Sequence, residues 1–245
     1  MRTHVSRTTV PRLLLAVMCG LCVAGYSQRE AAAAAPLRER DICTAHKCRT
    51  LTSNAEVRVF QATARHPDRE AYTSTFAQWL PTGRVTALGD NSAVFEGVAL
   101  KGAPVLMGSY VAYVLRVESG RNADSGFSEE VGRLDVRAGR RELKPSDGRS
   151  GGAFESGSAG VTQVAVTPAG SVAWMIAGSF ANPDGQLPAP GETPPASRAI
   201  YVLPSHSTAP LPLAYSTTIE PGSLAVTAGH IFWLEAGVPR TYAAP

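Results

Sequence analysis

Thr167-Pro168-Ala169-Gly170-Ser171-Val172-Ala173-Trp174 joins a Pro-Ala-Gly turn to a strand in which a β-branched residue stands two positions before an aromatic ring. In a strand that spacing points Val172 and Trp174 to one face. The same arrangement returns at Val111-Ala112-Tyr113 and Ile231-Phe232-Trp233, behind turns at Gly108-Ser109 and Ala228-Gly229. The aromatic positions are 61 and 59 residues apart (113 to 174, 174 to 233). Ahead of each turn lies another strand-like run, at 105–107, 161–167 and 224–227. After the first two comes a further pair, 133–137 with 140–144, then 198–203 with 211–216. Four antiparallel strands at a near-constant period are the content of a propeller blade, where about 40 residues is usual. Two insertions account for the excess: 121–127, and 182–197 with Asp184-Gly185 and five prolines. The expected fold is all-β, a small or incomplete β-propeller of about 3–4 four-stranded antiparallel blades. Tyr113, Trp174 and Trp233 are its structural repeat aromatics, expected between blades rather than in a ligand-stacking row.

Residues 167–174 resemble the Ser-Pro-Asp-Gly-x-x-Ile-Ala-aromatic hairpin of TolB-type β-propeller repeat proteins. Ala199-Ile200-Tyr201-Val202 is similar to the Asp-Ile-Tyr-Val strand that follows it there. Gly132-Arg133-Leu134-Asp135-Val136 and Thr227-Ala228-Gly229-His230-Ile231-Phe232-Trp233 are looser copies, so the resemblance covers residues 104–245. Where the class has an aspartate this chain has Ala169, and that turn lacks the aspartate's hydrogen bonds. The layout also resembles that of uncharacterised secreted bacterial propeller-like proteins. The resemblance implies a scaffold that binds proteins or ligands at its loop faces, and fold alone does not set an activity.

Toward the N-terminus, period-two alternation begins at Val57 and Val59, and further strands are expected at 72–80 and 84–88. The last repeat has three strand starts, Leu224, His230 and Val238, so closure would need an N-terminal strand such as 57–64 to fill the missing place. Residues 36–54, with Pro36 and alternating charges from Arg38 to Asp41, read as an N-terminal linker ahead of a repeat domain at 55–245. Residues 1–35 read as a signal peptide. A basic start (Arg2, Arg7, Arg12) precedes the apolar run 13–25, too short for a helix across a ~30 Å hydrocarbon core, which needs about 20 residues. Cleavage is expected after Gly25 or between Ala31 and Ala35, leaving a secreted, extracytoplasmic chain with no membrane span.

Removing that segment changes the charge. The chain has 23 basic and 20 acidic side chains, and residues 1–35 hold four of the former and one of the latter. Subtraction leaves 19 of each. A nucleic-acid binder needs a basic footprint to displace counterions, so nucleic acid is not an expected partner. Cys19 and Cys22 leave with the signal, and Cys43 and Cys48 remain as an expected disulfide loop in an oxidising compartment. His46 between them adds one metal donor, short of the four a structural zinc needs.

Constellations with chemistry are sparse. Gly148-Arg149-Ser150-Gly151-Gly152 matches G-x-S-x-G, and Asp184 with His206 or His230 follow in hydrolase order. That elbow needs a strand before the serine and a helix after it, whereas here Gly/Ser-rich sequence follows, the composition of a loop. Asn122, Asp124, Ser128, Glu129 and Glu130 are oxygen donors, but aligning Gly126 with the glycine of a calcium loop puts Arg121 where an aspartate belongs. His230 and His206 read as turn and loop residues without a carboxylate partner, and Trp79, ahead of Pro81, falls outside the aromatic register. No catalytic, cofactor-binding or metal residue is nominated, and no cofactor is expected. The expected function is a secreted, non-catalytic binding module for a protein or glycan at a blade-loop face. A propeller-scaffold hydrolase or lyase, or a structural envelope component, is the alternative.

Overall fold

The computed structural model describes residues 38–244 apart from 67–68, 91–95, 120–125, 147–159 and 179–196. The expected signal peptide lies outside these residues, as do the G-x-S-x-G stretch, Asp184, Asn122, Asp124 and most of both insertions. The described residues form four antiparallel sheets. The first comprises β1 (Lys47–Ser53), β2 (Val57–His66), β3 (Arg69–Trp79) and β4 (Arg84–Asp90), side by side in chain order. In the second, β5 (Glu96–Leu100) and β6 (Val105–Met107) share one edge of β7 (Tyr110–Ser119), followed by β8 (Gly126–Asp135) and β9 (Arg140–Pro145). The third is β10 (Gly160–Val166), β11 (Val172–Gly178), β12 (Ser197–Leu203) and β13 (Leu211–Ser216). The fourth is β14 (Ala225–Thr227), β15 (His230–Glu235) and β16 (Val238–Ala243).

Alternation along the strands sets how the sheets meet. Val111, Tyr113 and Leu115 on β7 pack with Val57, Val59, Ala77 and Leu88 of the first sheet. The intervening Ala112 and Val114 point the other way, into a core with Val172, Trp174 and Ile176 of β11. The opposite face of β11, Ala173 and Met175, packs with Ile231 and Trp233 of β15. Each β-branched/aromatic pair therefore faces the preceding sheet, and the second and third sheets are buried on both sides. Tyr113 and Trp174 are 1 % and 0 % exposed, Trp233 7 %. Trp79 packs at the edge of the core between the first two sheets.

The segment read as a linker is structured. Residues Glu39–Ala45 form a short helix, α1, and Lys47–Ser53 pairs along β2 as the outer strand of the first sheet. The reason lies in β2, whose Phe60 and Ala62 point away from the second sheet and need a cover. Ile42 and the Cys43–Cys48 disulfide lie against them, so the expected disulfide pins helix to strand. A seven-residue helix offers no periodic stripe to read; packing, not propensity, holds it. The closure expected from residues 57–64 is also corrected. β2 is an inner strand of the first sheet, committed to β1 and β3. Among the described residues no strand of the fourth sheet pairs with one of the first. Proline sits on the outer edges, Pro145 ending β9, Pro212 in β13 and Pro239 in β16. Lacking an N–H, each blunts its edge against further pairing.

Tyr113 illustrates how tightly these strands are matched. Its cross-strand partner on β8 is Gly132, where an added Cβ would sit 2.2 Å from the ring. Only glycine lets the ring lie over the neighbouring strand. The Tyr113 hydroxyl is buried beside the Arg141 guanidinium, which makes no hydrogen bond of good geometry to it. Burial pushes the phenol above its ordinary pKa of 10.0; the nearby Arg141 guanidinium pulls it down less strongly. The neutral phenol is thus preferred in the fold, so this site's contribution is intact below pH 10 and is lost as pH rises through the folded-state value. Tyr113→Phe is expected to leave stability at pH 7 unchanged or raised by up to about 1 kcal/mol, because an unsatisfied hydroxyl is removed. Its loss of melting temperature above pH ~10 should be shallower than that of the parent protein. Trp174→Ala, by contrast, should cost about 3–5 kcal/mol in urea denaturation. An unchanged midpoint would overturn the assignment of this ring to the core.

Candidate functional site

A cleft of about 320 Å³ opens where the second sheet meets the β12–β13 connection. Tyr110, Arg133, Asp135, Arg140 and Glu142 line one side, and Ser205, His206, Ser207 and Thr208 the other. Strand pairing explains the charge pattern. Arg133 and Asp135 are two apart on β8 and share a face; Glu142 stands directly opposite Arg133 on β9, and Arg140 opposite Asp135. The outcome is a checkerboard, with Arg133 Nη2 donating to Glu142 Oε2 at 2.7 Å and Arg140 Nη2 3.6 Å from Asp135 Oδ2. Opposite charges facing across antiparallel strands favour this pairing, firmly for the buried Arg133 and only weakly for the largely exposed Arg140.

Arg133 is the fixed point of the cleft. Its side chain is only 8 % exposed. Besides Glu142, its guanidinium donates to three backbone carbonyls of the third sheet's turns: Gly170 (3.2 Å), Pro204 (2.7 Å) and Ser207 (3.0 Å). A planar fork with several donors is suited to gathering such acceptors. Gly170, at φ +89°, lies under the Tyr110 ring, where a Cβ would come within 2.5 Å of it. The loop wall is fixed in turn. Ser205 N donates to Ser171 Oγ, and the Ser207 hydroxyl both donates to Ala209 O and accepts from Ala209 N. Asp135 Oδ1 accepts from Ala138 N at 3.0 Å. Arg140 is 78 % exposed, and His206 is exposed at the rim. The cleft therefore offers outward-facing donors and acceptors on a floor that cannot rearrange cheaply.

At the other end of the same sheet–sheet junction, Glu129 is buried, its side chain 1 % exposed. It accepts from Lys101 Nζ, from Arg116 Nε (3.1 Å) and Nη2 (2.8 Å), and from Val161 N of β10 (2.7 Å). Lys101 also donates to Val161 O at 2.8 Å. Of the calcium set considered from sequence, Asn122 and Asp124 lie outside the described residues, and Glu129 and Glu130 are not brought together. Glu129 lies on the β8 face turned to the third sheet with Val131, whereas Glu130 alternates to the other face, and the Glu129 oxygens are already occupied. Among the described residues no group of three or more His, Cys, Asp or Glu side chains is placed to hold a metal ion.

Of the histidines weighed from sequence, His206 does reach the cleft. His230 opens β15, with its ring 6.0 Å from that of Phe232, and is not part of the cleft. Arg133, Asp135, Arg140 and Glu142 were missed as a group. Their signal was present: charges at every second position along two consecutive strands, where burial of one face makes a charge unexpected. Among the described residues no helix is long and apolar enough to cross a membrane. Compared with models of known protein families and with curated proteins, the chain matches none.

Removing the Glu129 charge tests the junction. Glu129→Gln leaves Lys101 and Arg116 facing an amide, and turns an N–H donor toward donors. The expected cost is about 3 kcal/mol of folding stability, measured by urea denaturation.

Proposed function

We propose that this protein is a secreted, non-catalytic binding module on a β-propeller-like scaffold. Its ligand site is the cleft between the second sheet and the β12–β13 connection, and the ligand is a hydroxyl-rich one, a saccharide unit of a glycan. The observation that carries this reading is the Arg133-centred floor, bonded to Glu142 and to the opposite loop, in a recess that Tyr110, Asp135 and Arg140 also line. A volume of about 320 Å³ is at the small end of ligand sites, the size of a small molecule or one sugar unit rather than a protein surface. Carboxylates and guanidinium groups in balanced number favour a neutral ligand rich in hydroxyls, each of which can donate to one and accept from the other. The Tyr110 ring adds an apolar surface beside them.

The propeller part of the reading is supported by the order of the sheets. Each packs on the next in chain sequence, and the first strands lie side by side, with β10 against both β6 and β14. That is how blades sit around an axis. Secretion is supported by the disulfide between Cys43 and Cys48 and by the character of residues 1–35.

Binding is tested by screening the folded protein against a panel of oligosaccharides using calorimetry and ligand-observed NMR. Arg140→Ala and His206→Ala alter exposed residues and should leave the melting temperature in place. Each is expected to weaken the saccharide that binds by about tenfold, the worth of one hydrogen bond to the ligand. Binding that is indifferent to both substitutions would remove the cleft from consideration. Cleavage of the bound saccharide would replace the non-catalytic reading with the hydrolase or lyase one.

A further inference from the structure

A second recess lies on the first sheet, away from the cleft above. It measures about 680 Å³ and is lined by Ala45, His46, Lys47, Arg49, Gln61 and Thr63. Strand pairing places four of these side chains together. Lys47 stands opposite Thr63, and Arg49 opposite Gln61, across the β1–β2 ladder. Residues two apart on a strand share a face, so both cations and both neutral polar groups look the same way. The Arg49 guanidinium donates to Gln61 Oε1 at 3.3 Å, which leaves the Gln61 amide N–H₂ free to face the recess. Lys47 and Arg49 are exposed, and among the described residues neither meets a carboxylate. None of the lining side chains is acidic.

Two further observations make this more than a solvated basic strand. Once residues 1–35 are set aside the chain has equal numbers of basic and acidic side chains, so a recess with cations and no acid is a local segregation of charge. The recess is also held rigid. His46 and Lys47 lie inside the loop closed by the Cys43–Cys48 disulfide, and the His46 N–H donates to Ile42 O, fixing the end of α1. The disulfide itself rests on Phe60 and Ala62 of the buried face of β2.

We propose that this disulfide-braced recess is a binding site for phosphate groups, with Lys47 and Arg49 supplying the charge and the Gln61 amide a directional hydrogen bond, while the Thr63 hydroxyl is shared with Thr73 Oγ1 at 3.3 Å. A tetrahedral oxyanion presents oxygens on every side, so it can meet a guanidinium fork, an ammonium and neutral donors at once. The recess is open to solvent and, at about 680 Å³, larger than a phosphate group alone needs. The phosphate comes either from a soluble phosphate ester or from a lipid headgroup.

The test uses the folded, oxidised protein with three probes: inorganic phosphate, glycerol phosphate, and vesicles containing phosphatidylglycerol, with phosphatidylcholine vesicles as the neutral control. Backbone amide shifts of residues 45–49 and 61–63 report soluble probes, and co-sedimentation reports vesicles. Saturable binding of glycerol phosphate alone identifies a soluble ester, and binding of the anionic vesicles alone identifies a headgroup; either supports the site. In both cases the Lys47→Gln/Arg49→Gln double variant is expected to lose about tenfold or more in affinity, with its melting temperature unchanged. Cys43→Ser/Cys48→Ser should weaken binding less, by releasing the loop without removing charge. The variant Arg140→Ala, in the other cleft, should bind phosphate as the parent does, which separates failure here from failure of the saccharide reading. Absence of saturable binding with every anionic probe, or binding unchanged in the Lys47→Gln/Arg49→Gln variant, would overturn the proposal.

Discussion

The Glu129 carboxylate, closed off between two sheets, accepts from Lys101, Arg116 and the backbone of Val161, and it sets the terms for the centre of the molecule. A carboxylate so deeply buried is costly unless its charge is met and its lone pairs are filled. Here both conditions hold, but only when β8 and β10 are aligned so that Val161 N lies within 2.7 Å. A slip of one residue would move the Glu129 side chain to the opposite face of β8 and strand it without partners. The ion cluster thus adds alignment to a contact whose driving force is apolar. Between it and Arg133 on the same strand face lies Val131, part of the core with Val161, Val172 and Trp174. Polar clamps stand at each end of that apolar centre. Trp174 contributes to both kinds of contact, donating its indole N–H to Ser146 O at 2.6 Å while its ring fills the core.

The other junctions use the same device with fewer charges. Between the first and second sheets, Asn54 Nδ2 donates to Gly108 O, and the Arg84 guanidinium reaches the carbonyls of Val136 and Arg137. Between the third and fourth, Gln163 exchanges two hydrogen bonds with the backbone of Leu224, and Arg198 Nη1 donates to Ile219 O. In each case a side chain on one sheet binds backbone groups on a neighbour that no strand partner satisfies. Apolar packing is not directional and would tolerate sliding of one sheet on another. These bonds do not tolerate it. The recess around Arg133 inherits its shape from this: the guanidinium that joins the sheets also forms the floor on which Tyr110, Glu142 and the 205–208 loop are arranged.

The all-β character, the turns and the strand alternation were legible from local residues. Pro168-Ala169-Gly170 and Gly108-Ser109 mark turns, and Val/Ile two before an aromatic ring marks a strand face that must be buried. The Cys43–Cys48 disulfide was legible too, because only two cysteines remain beyond residue 35 and five positions separate them. These are properties of neighbours along the chain, and the chain itself carries them.

What alternation cannot say is which surface covers a given face. That Tyr113 looks toward the first sheet and Trp174 toward the second, that Glu129 meets Val161 thirty-two positions later, and that Arg133 reaches Ser207 are consequences of sheets stacking in three dimensions. α1 shows the limit most plainly. Nothing in residues 39–45 repeats often enough to announce a helix; it exists because Phe60 and Ala62 leave an apolar face that Ile42 can cover. The sequence by itself determined strands, turns, the cysteine pair and the near-neutral charge. The tertiary structure alone decided the sheet partners, the buried ion cluster and both recesses, because each depends on groups that distant segments bring within hydrogen-bond reach.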